Sequence, residues 1–334
     1  MADFKANFRR PPRQPSLSFA DNRLTKVSVS NFKNIGFRNK PLASMKILSP
    51  AKINLFLQVT GKRPDGYHEL VTLMSCISLY DVMTIDFETP GISVRCDSPD
   101  VPDNEGNLAF KAASLFYDRL SVARREDHAG LGRNGGVSIF IEKQIPVAAG
   151  LGGGSSNAGR TLLQLNRYHG WPFSGVEMNR MGLAIGADVP FFLQEKPAVA
   201  TGIGECLEIY SGLQVLPIVV ACPDIPVSTA AVYKKLNLGL TKCGKKIKNF
   251  FSDKSTFDVN QYLCNDLEAV VIQKHPVISD IKRQLLQMGA DVALMSGSGP
   301  AVFGIYSDSH KARRACELLS AHHRWRLFLA ETLV

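Results

Sequence analysis

The chain has 334 residues, 45% of them hydrophobic, and its mean hydropathy is -0.02 with no apolar run near the roughly 20 residues of a membrane span, so neither a membrane-spanning helix nor a membrane as partner is expected. The formal charge of +9 is unevenly placed: residues 1–44 hold nine Lys/Arg against two acidic residues and the rest holds 30 against 28, so no broad nucleic-acid-binding face and no nucleic-acid partner is expected, which leaves room only for local basic patches. The seven cysteines are scattered and never in Cys-x-x-Cys, so we expect reduced thiols in the cytoplasm and neither a disulfide frame nor a zinc or other resident metal site.

Residues 1–44 contain Pro11, Pro12, Pro15, Pro41 and five serines, and they read as a disordered basic extension. Their acid-poor composition fits a plastid transit peptide. A functionless or over-called stretch before a true start at Met45 fits as well, and is the reading we take. Strands are predicted over 46–60 and 67–79, joined by the turn Gly61-Lys-Arg-Pro-Asp-Gly66. Further strands follow at 82–87 and 92–96, then a helix over 107–120 and a polar loop over 124–136. A β-branched run over 137–143 leads into a glycine-rich segment, 146–157, and then a helix over 158–168. A second helix covers 176–185, and Gly186-Ala-Asp-Val-Pro-Phe-Phe192 ends it. Strands are expected at 198–201, 206–210 and 216–222, with a domain boundary between 197 and 198 where the composition shifts. Residues 239–256, with five lysines, read as irregular. Helices over 260–274 and 277–288, strands over 291–295 and 301–306, a helix over 309–322 and a strand over 326–332 close the chain.

The glycine-rich segment carries the chemistry. Pro146-Val-Ala-Ala-Gly-Leu-Gly-Gly-Gly-Ser-Ser-Asn157 sits between a strand and a helix, the layout of a phosphate site. It lacks the lysine of a Walker loop, and Ser155 stands where a dinucleotide loop needs its third glycine. Lys52 lies within a strand and Asp188 in an apolar context. Read singly, one is an edge-strand lysine and the other a turn carboxylate. Read together, they supply a proton acceptor and a cation for phosphoryl transfer to an alcohol. Tyr67 and His68 are suited to stack on and hydrogen-bond a base, or equally form a partly buried tyrosine and a surface histidine. Ser296-Gly-Ser-Gly-Pro300 is a tight turn whose glycines permit approach to the phosphate loop.

Ser49-Pro-Ala-Lys-Ile-Asn-Leu55, the 146–157 segment and Met295-Ser-Gly-Ser-Gly-Pro-Ala-Val-Phe303 resemble, in order and spacing, the three motifs of the GHMP kinases. The resemblance covers about residues 45–334. It implies an α+β fold of two domains: a ribosomal-protein-like N-terminal domain over 45–197 and a ferredoxin-like C-terminal domain over 198–334. Gly61–Leu70 and 186–192 further resemble the members acting on a cytidine diphosphate-linked methylerythritol, which they phosphorylate at the 2-hydroxyl in the non-mevalonate route to isoprenoid precursors. The resemblance implies ATP and Mg²⁺ as cofactors; we expect a monomer or weak homodimer. It assigns catalysis to Lys52 and Asp188. ATP is assigned to Pro146, Val147, Ala148, Ala149, Gly150, Leu151, Gly152, Gly153, Gly154, Ser155 and Ser156, and its adenine to Asn107, Leu108 and Lys143. The substrate falls to Asn54, Tyr67 and His68, with Tyr210 offered as a second ring for cytosine. Gly159 departs from the family's more usual alanine and is expected to soften its helix.

Overall fold

The computed structural model describes residues 44–124, 135–237, 241, 243–253, 257–322 and 325–334. The predicted basic extension, except Ser44, lies outside the described residues, as does most of the 124–136 loop.

Two long strands form the spine. β1 (Ser44–Lys62) and β2 (His68–Thr89) pair antiparallel along nearly their whole lengths. The strands predicted at 67–79 and 82–87 are therefore one strand. Tyr80 and Asp81, which looked like a break, continue the ladder opposite Pro50 and Ser49. The register shifts between Pro50 and Ala51 and again between Asn54 and Phe56. Such bulges re-aim side chains, and these flank Lys52 and Asn54.

β3 (Ile92–Cys96) lies parallel to β4 (Gly136–Glu142), which pairs with β2. α1 (Leu108–Arg124), α2 (Gly153–Tyr168) and α3 (Gly175–Ile185) cover one face of this sheet, burying Phe116, Leu162, Leu165 and Met181 against Met83, Ile85 and Ile139. Ser174 and Glu177 form a capping box that starts α3. After α4 (Val189–Gln194), β5 (Ala198–Thr201) pairs with β2, and β6 (Cys206–Ile209) with β5. Past the predicted boundary between 197 and 198, β5 and β6 extend the first sheet to Ile209, and Cys264–Asn265 later adds a short strand parallel to β1 at Phe56 and Leu57.

β7 (Pro217–Cys222) opens the second sheet. α5 (Thr229–Lys235) and α6 (Gly244–Asp253) follow, the latter inside a stretch expected to be irregular; Ile247 and Phe250 on α6 are buried against β1. The helix predicted over 260–274 is broken into α7 (Val259–Tyr262), β8 (Cys264–Asn265) and α8 (Glu268–Lys274). Buried polar side chains explain the break. Asn265 donates to the carbonyls of Met295 and Gly297, each at 2.8 Å, and Asp266 accepts from the backbone N–H of Val59 at 3.0 Å and of Cys243 at 3.1 Å. A continuous helix would withdraw these groups from partners whose burial makes them costly to abandon.

α9 (Val277–Gln287), β9 (Val292–Met295), β10 (Val302–Ile305), α10 (Ser309–His322) and β11 (Arg326–Glu331) complete the chain. The sheet order is β11-β7-β10-β9, all antiparallel, the ferredoxin-like arrangement. Its helices bury Ile278, Ile281, Leu285 and Leu319 on one face. Its other face meets β1 and β2, where Phe56, Ile53 and Leu55 cluster with Ile218, Val220 and Phe303. Covered on both faces, β1 is buried without alternation from Ser49 to Leu57. Among the described residues no helix is long and apolar enough to cross a membrane, and no group of three His, Cys, Asp or Glu side chains is placed to hold a metal ion.

Candidate active site

The glycine segment is fixed by three hydrogen bonds, one from β1 and two from the 296–301 turn. The N–H of Lys52 on β1 donates to Leu151 O at 2.9 Å, that of Ala301 donates to Ala149 O at 3.1 Å, and Ser296 Oγ donates to Gly150 O at 3.0 Å. The Ser296–Pro300 turn does approach the loop. Gly150 shows how closely: its φ is 79°, and a Cβ there would lie 2.3 Å from Ser296 O. No side chain fits. Gly152, at φ 70°, caps α2, and its Cβ would meet Phe192 and Lys52 Cγ at 2.9 and 3.0 Å.

α2 begins at Gly153, five residues earlier than the predicted 158. Glycine propensity argues against this start, but packing overrides it. Ser155 therefore lies in the first turn, where the N–H groups of Gly153, Gly154 and Ser155 precede the first intrahelical bond, from Ser156 N to Gly152 O at 2.9 Å. These donors, with the positive end of the helix dipole, form an anion site. Ser155 lines the cleft beside it; Ser156 does not, because its fully buried hydroxyl is 2.8 Å from Ser49 Oγ. Gly159 is a contact position rather than a soft spot: a Cβ there would lie 2.9 Å from Cβ of Phe192, so glycine seats α4 against α2.

Asp188 stands at the N-cap of α4 but makes no capping bond with its side chain. The carboxylate turns instead toward Lys52, with Oδ2 at 3.6 Å from Nζ. Lys52 is 5% exposed, and its ammonium also donates to Asn54 Oδ1 at 2.7 Å. Asn54 Nδ2 donates to Thr72 Oγ1 at 2.8 Å, and the Thr72 hydroxyl donates in turn to Phe56 O. The chain Thr72–Asn54–Lys52 fixes one face of the ammonium and leaves the other to Asp188. The pair expected from sequence is thus brought together, across 136 positions of chain.

Both groups open into a cleft of about 890 Å³ that also reaches Gly150, Ser155 and the Gly297-Ser298 corner. Tyr67, His68, Lys62, Lys234 and Tyr233 line the same cleft. Tyr67 is 61% exposed at the lip, and its N–H donates to Asp65 Oδ1 in a local Asp turn. His68 faces Tyr233, ring centroids 5.2 Å apart. Burial lowers the His68 pKa, and the Lys62 charge lowers it further. Burial pushes the Tyr233 phenol up to about 12, with the Asp188 charge adding to it. Tyr233 was not anticipated. The Tyr210 ring packs instead on Phe250, centroids 5.3 Å apart, away from the cleft. The usable signal was Ser228, whose side chain caps α5 by accepting from Ala231 N and so starts a helix that carries Tyr233 to the cleft. Thr229 ties that helix to the glycine turn through Ser298, hydroxyl to hydroxyl at 2.8 Å.

The three residues assigned to adenine lie on the other side of the loop. Asn107 is buried and spends its side chain locally, accepting from Ala109 N and donating to Pro102 O, each at 2.9 Å. Leu108 borders Gly154. Lys143 turns inward and pairs with Asp81.

The GHMP kinases N terminal domain family matches residues 107–196 and the GHMP kinases C terminal family matches residues 254–324. The 4-diphosphocytidyl-2-C-methyl-D-erythritol kinase of Syntrophotalea carbinolica is 45% identical over 285 residues, 85% of this chain and 97% of that protein. The protein of the same name from Syntrophus aciditrophicus is 44% identical over 291 residues, 86% of this chain and 99% of its own. A crystal structure of 4-(cytidine 5'-diphospho)-2C-methyl-D-erythritol kinase superposes with a TM-score of 0.70 at 33% identity, covering 87% of this chain and 100% of that one. Homoserine kinase from Cytophaga hutchinsonii shares the fold alone, with a TM-score of 0.60 at 15% identity over 90% of this chain and 98% of that one. With its loop, its Lys52–Asp188 pair and these relatives in agreement, the chain belongs to the GHMP kinase family and is a small-molecule kinase.

Proposed function

We propose that this kinase transfers the γ-phosphoryl group of ATP to the 2-hydroxyl of 4-diphosphocytidyl-2-C-methyl-D-erythritol, a step toward isoprenoid precursors. One observation carries the choice of substrate: the His68–Tyr233 ring pair stands in the same cleft as Lys52, Asp188 and the loop. A substrate without a base, such as homoserine or mevalonate, has no use for two rings there. The names of the relatives point to the same substrate.

In this reading the loop and the first turn of α2 hold the triphosphate through backbone N–H groups. Cytosine lies between Tyr67 and Tyr233, with His68 hydrogen-bonding its edge. Lys62 and Lys234 bring positive charge to the end of the cleft that receives the cytidine diphosphate. Asp188 takes the proton of the 2-hydroxyl as that oxygen attacks phosphorus. Lys52 stabilises the oxygen as it becomes anionic, and Asn54 steadies Lys52. The site offers hard oxygen donors, the Ser155 hydroxyl and the Asp188 carboxylate, which suit Mg²⁺ carried on the ATP phosphates. That ion would supply charge neutralisation. We place the reaction in the cytoplasm, in keeping with seven free cysteines.

The test is a coupled ADP-release assay with the cytidyl substrate beside homoserine and mevalonate. Turnover with the first and background rates with the others is expected. Comparable turnover with mevalonate overturns the assignment.

A further inference from the structure

A second acidic residue, Asp81, is placed more deeply than Asp188 and lies outside the cleft lining. It sits on β2 with no exposed surface. Its four donors all come from the two ends of the glycine loop. On the incoming side, the N–H groups of Gln144 and Ile145 both donate to Oδ1 at 2.9 Å, and Lys143 Nζ donates to Oδ2. On the outgoing side, Asn157 Nδ2 donates to Oδ2 at 3.1 Å. The excursion from Pro146 to Ser156 is thus closed at its base by one carboxylate. Asn157 also donates to Ser49 Oγ at 3.0 Å, and Ser49 is the partner of Ser156. This carries the clamp to the strand that bears Lys52.

The charge has a place as well. The loop has no basic residue of its own. Lys143 is 7% exposed in its side chain, and its Nζ lies 3.0 Å from where a Cβ on Gly153 would stand. The ammonium is therefore directly beneath the first residue of α2, the end of the helix that offers its N–H groups to an anion. Asp81 fixes it there. A buried ion pair adds little to stability compared with a packed apolar pair. Four donors converging from both ends of one loop make geometric sense as a device that sets the loop.

We propose that Asp81 is a positioning residue for the nucleotide, holding the ATP loop through Lys143, the 144–145 backbone and Asn157. The inference rests on the reading of 146–156 as the ATP loop. It assigns Asp81 no contact with either substrate.

The test compares two KM values. Asp81→Asn keeps the size of the side chain and removes its charge, so KM for ATP is expected to rise about tenfold or more, the equivalent of about one lost charge-assisted bond. KM for the cytidyl substrate should stay within about twofold. Should Asp81→Asn fail to fold, Asn157→Ala carries the test, because it frees α2 from the clamp while leaving the Asp81–Lys143 pair intact. A smaller rise confined to ATP is expected there. Equal rises in both KM values, in step with a fall in Tm, would show a merely structural role and overturn the proposal, as would unchanged KM for ATP in both variants. Calorimetric titration with ADP separates the two layers. No ADP binding by the native chain overturns the ATP reading itself, whereas native binding with equal affinity in the variants overturns the role of Asp81 alone.

Discussion

Asp188→Asn is the substitution that most directly separates chemistry from folding. Asparagine keeps the size and the N-cap position but cannot accept the substrate proton. On the stability side, Asp188 is 37% exposed in its side chain and lies 3.6 Å from Lys52, a partly solvated pair of the kind worth about 0–1 kcal/mol. Lys52 is not orphaned by the change, because it keeps Asn54 Oδ1 at 2.7 Å. The melting temperature should therefore fall by no more than about 3 °C. On the chemical side, loss of a general base costs roughly 10²–10⁴ in kcat, or about 2.7–5.4 kcal/mol of barrier. The two magnitudes differ severalfold, so the contrast is measurable. The assay is coupled ADP release at saturating ATP and cytidyl substrate, with thermal melts of the same preparations. A kcat within about threefold of native at unchanged Tm would falsify the assignment of the base.

Gly150→Ala forces an L side chain to φ 79° and drives its Cβ against Ser296 O. It should cost about 1–2 kcal/mol from the backbone alone and raise KM for ATP, and native-like Tm and KM together would refute the packing argument. Tyr233→Ala removes a stacking surface worth about 1–3 kcal/mol, so KM for the cytidyl substrate should rise roughly 5- to 150-fold with KM for ATP unmoved; equal changes in both would remove Tyr233 from the base site. The pKa of His68 is held below its ordinary 6.5 by burial and then by Lys62, so the ring is neutral at pH 7 and gains a proton only as pH falls below that lowered value. Protonation replaces an acceptor nitrogen by a donor. KM for the cytidyl substrate should be flat above neutrality and rise on the acid side, and an acid limb that persists in His68→Gln contradicts the role.

The parts of the site legible in the sequence were those written as local patterns. A glycine run between a strand and a helix announces an anion loop, and the Asp65-Gly-Tyr-His68 turn announces itself by turn residues. Lys52 and Asp188 were legible only as a pair, because neither residue type in isolation departs from a common surface or turn use. What escaped was set by long-range partners. Tyr233 lies on a seven-residue helix with little periodicity to detect, and it becomes functional only because α5 is tied to Ser298. The helix predicted over 260–274 failed because Asn265 and Asp266 find buried partners on β9, the glycine turn and β1, which periodicity cannot see. The start of α2 was misplaced for the opposite reason: Gly153 and Gly154 are poor helix formers, but the strand and the turn fix the backbone for them. Asp81 did leave a trace, a charged residue inside an apolar run, and such a residue needs a partner. Nothing in the sequence says that the partner is the base of the ATP loop.

The charge arrangement around that loop leads to a last prediction. A Walker loop meets its phosphates with its own lysine. Here each lysine beside the loop is already matched: Lys52 faces Asp188 at 3.6 Å, and Lys143 is held by Asp81. The other cations that line the cleft, Lys62 and Lys234, belong to the part read above as receiving the cytidine diphosphate. What remains for the triphosphate is the dipole of α2, about half an elementary charge, and a set of N–H donors. That is far less than the charge of ATP, and the proposed function therefore predicts that a divalent cation carried on the phosphates supplies most of the neutralisation. Turnover in the ADP-release assay should therefore fall to background on chelation with EDTA and return on adding Mg²⁺. Added monovalent salt should not substitute, because a monovalent ion carries half the charge and does not hold several phosphate oxygens in one fixed octahedral shell as Mg²⁺ does. Substantial turnover under chelation would show that the matched lysines are freed when ATP binds. The Lys52–Asp188 and Lys143–Asp81 pairs would then not persist in the complex with ATP.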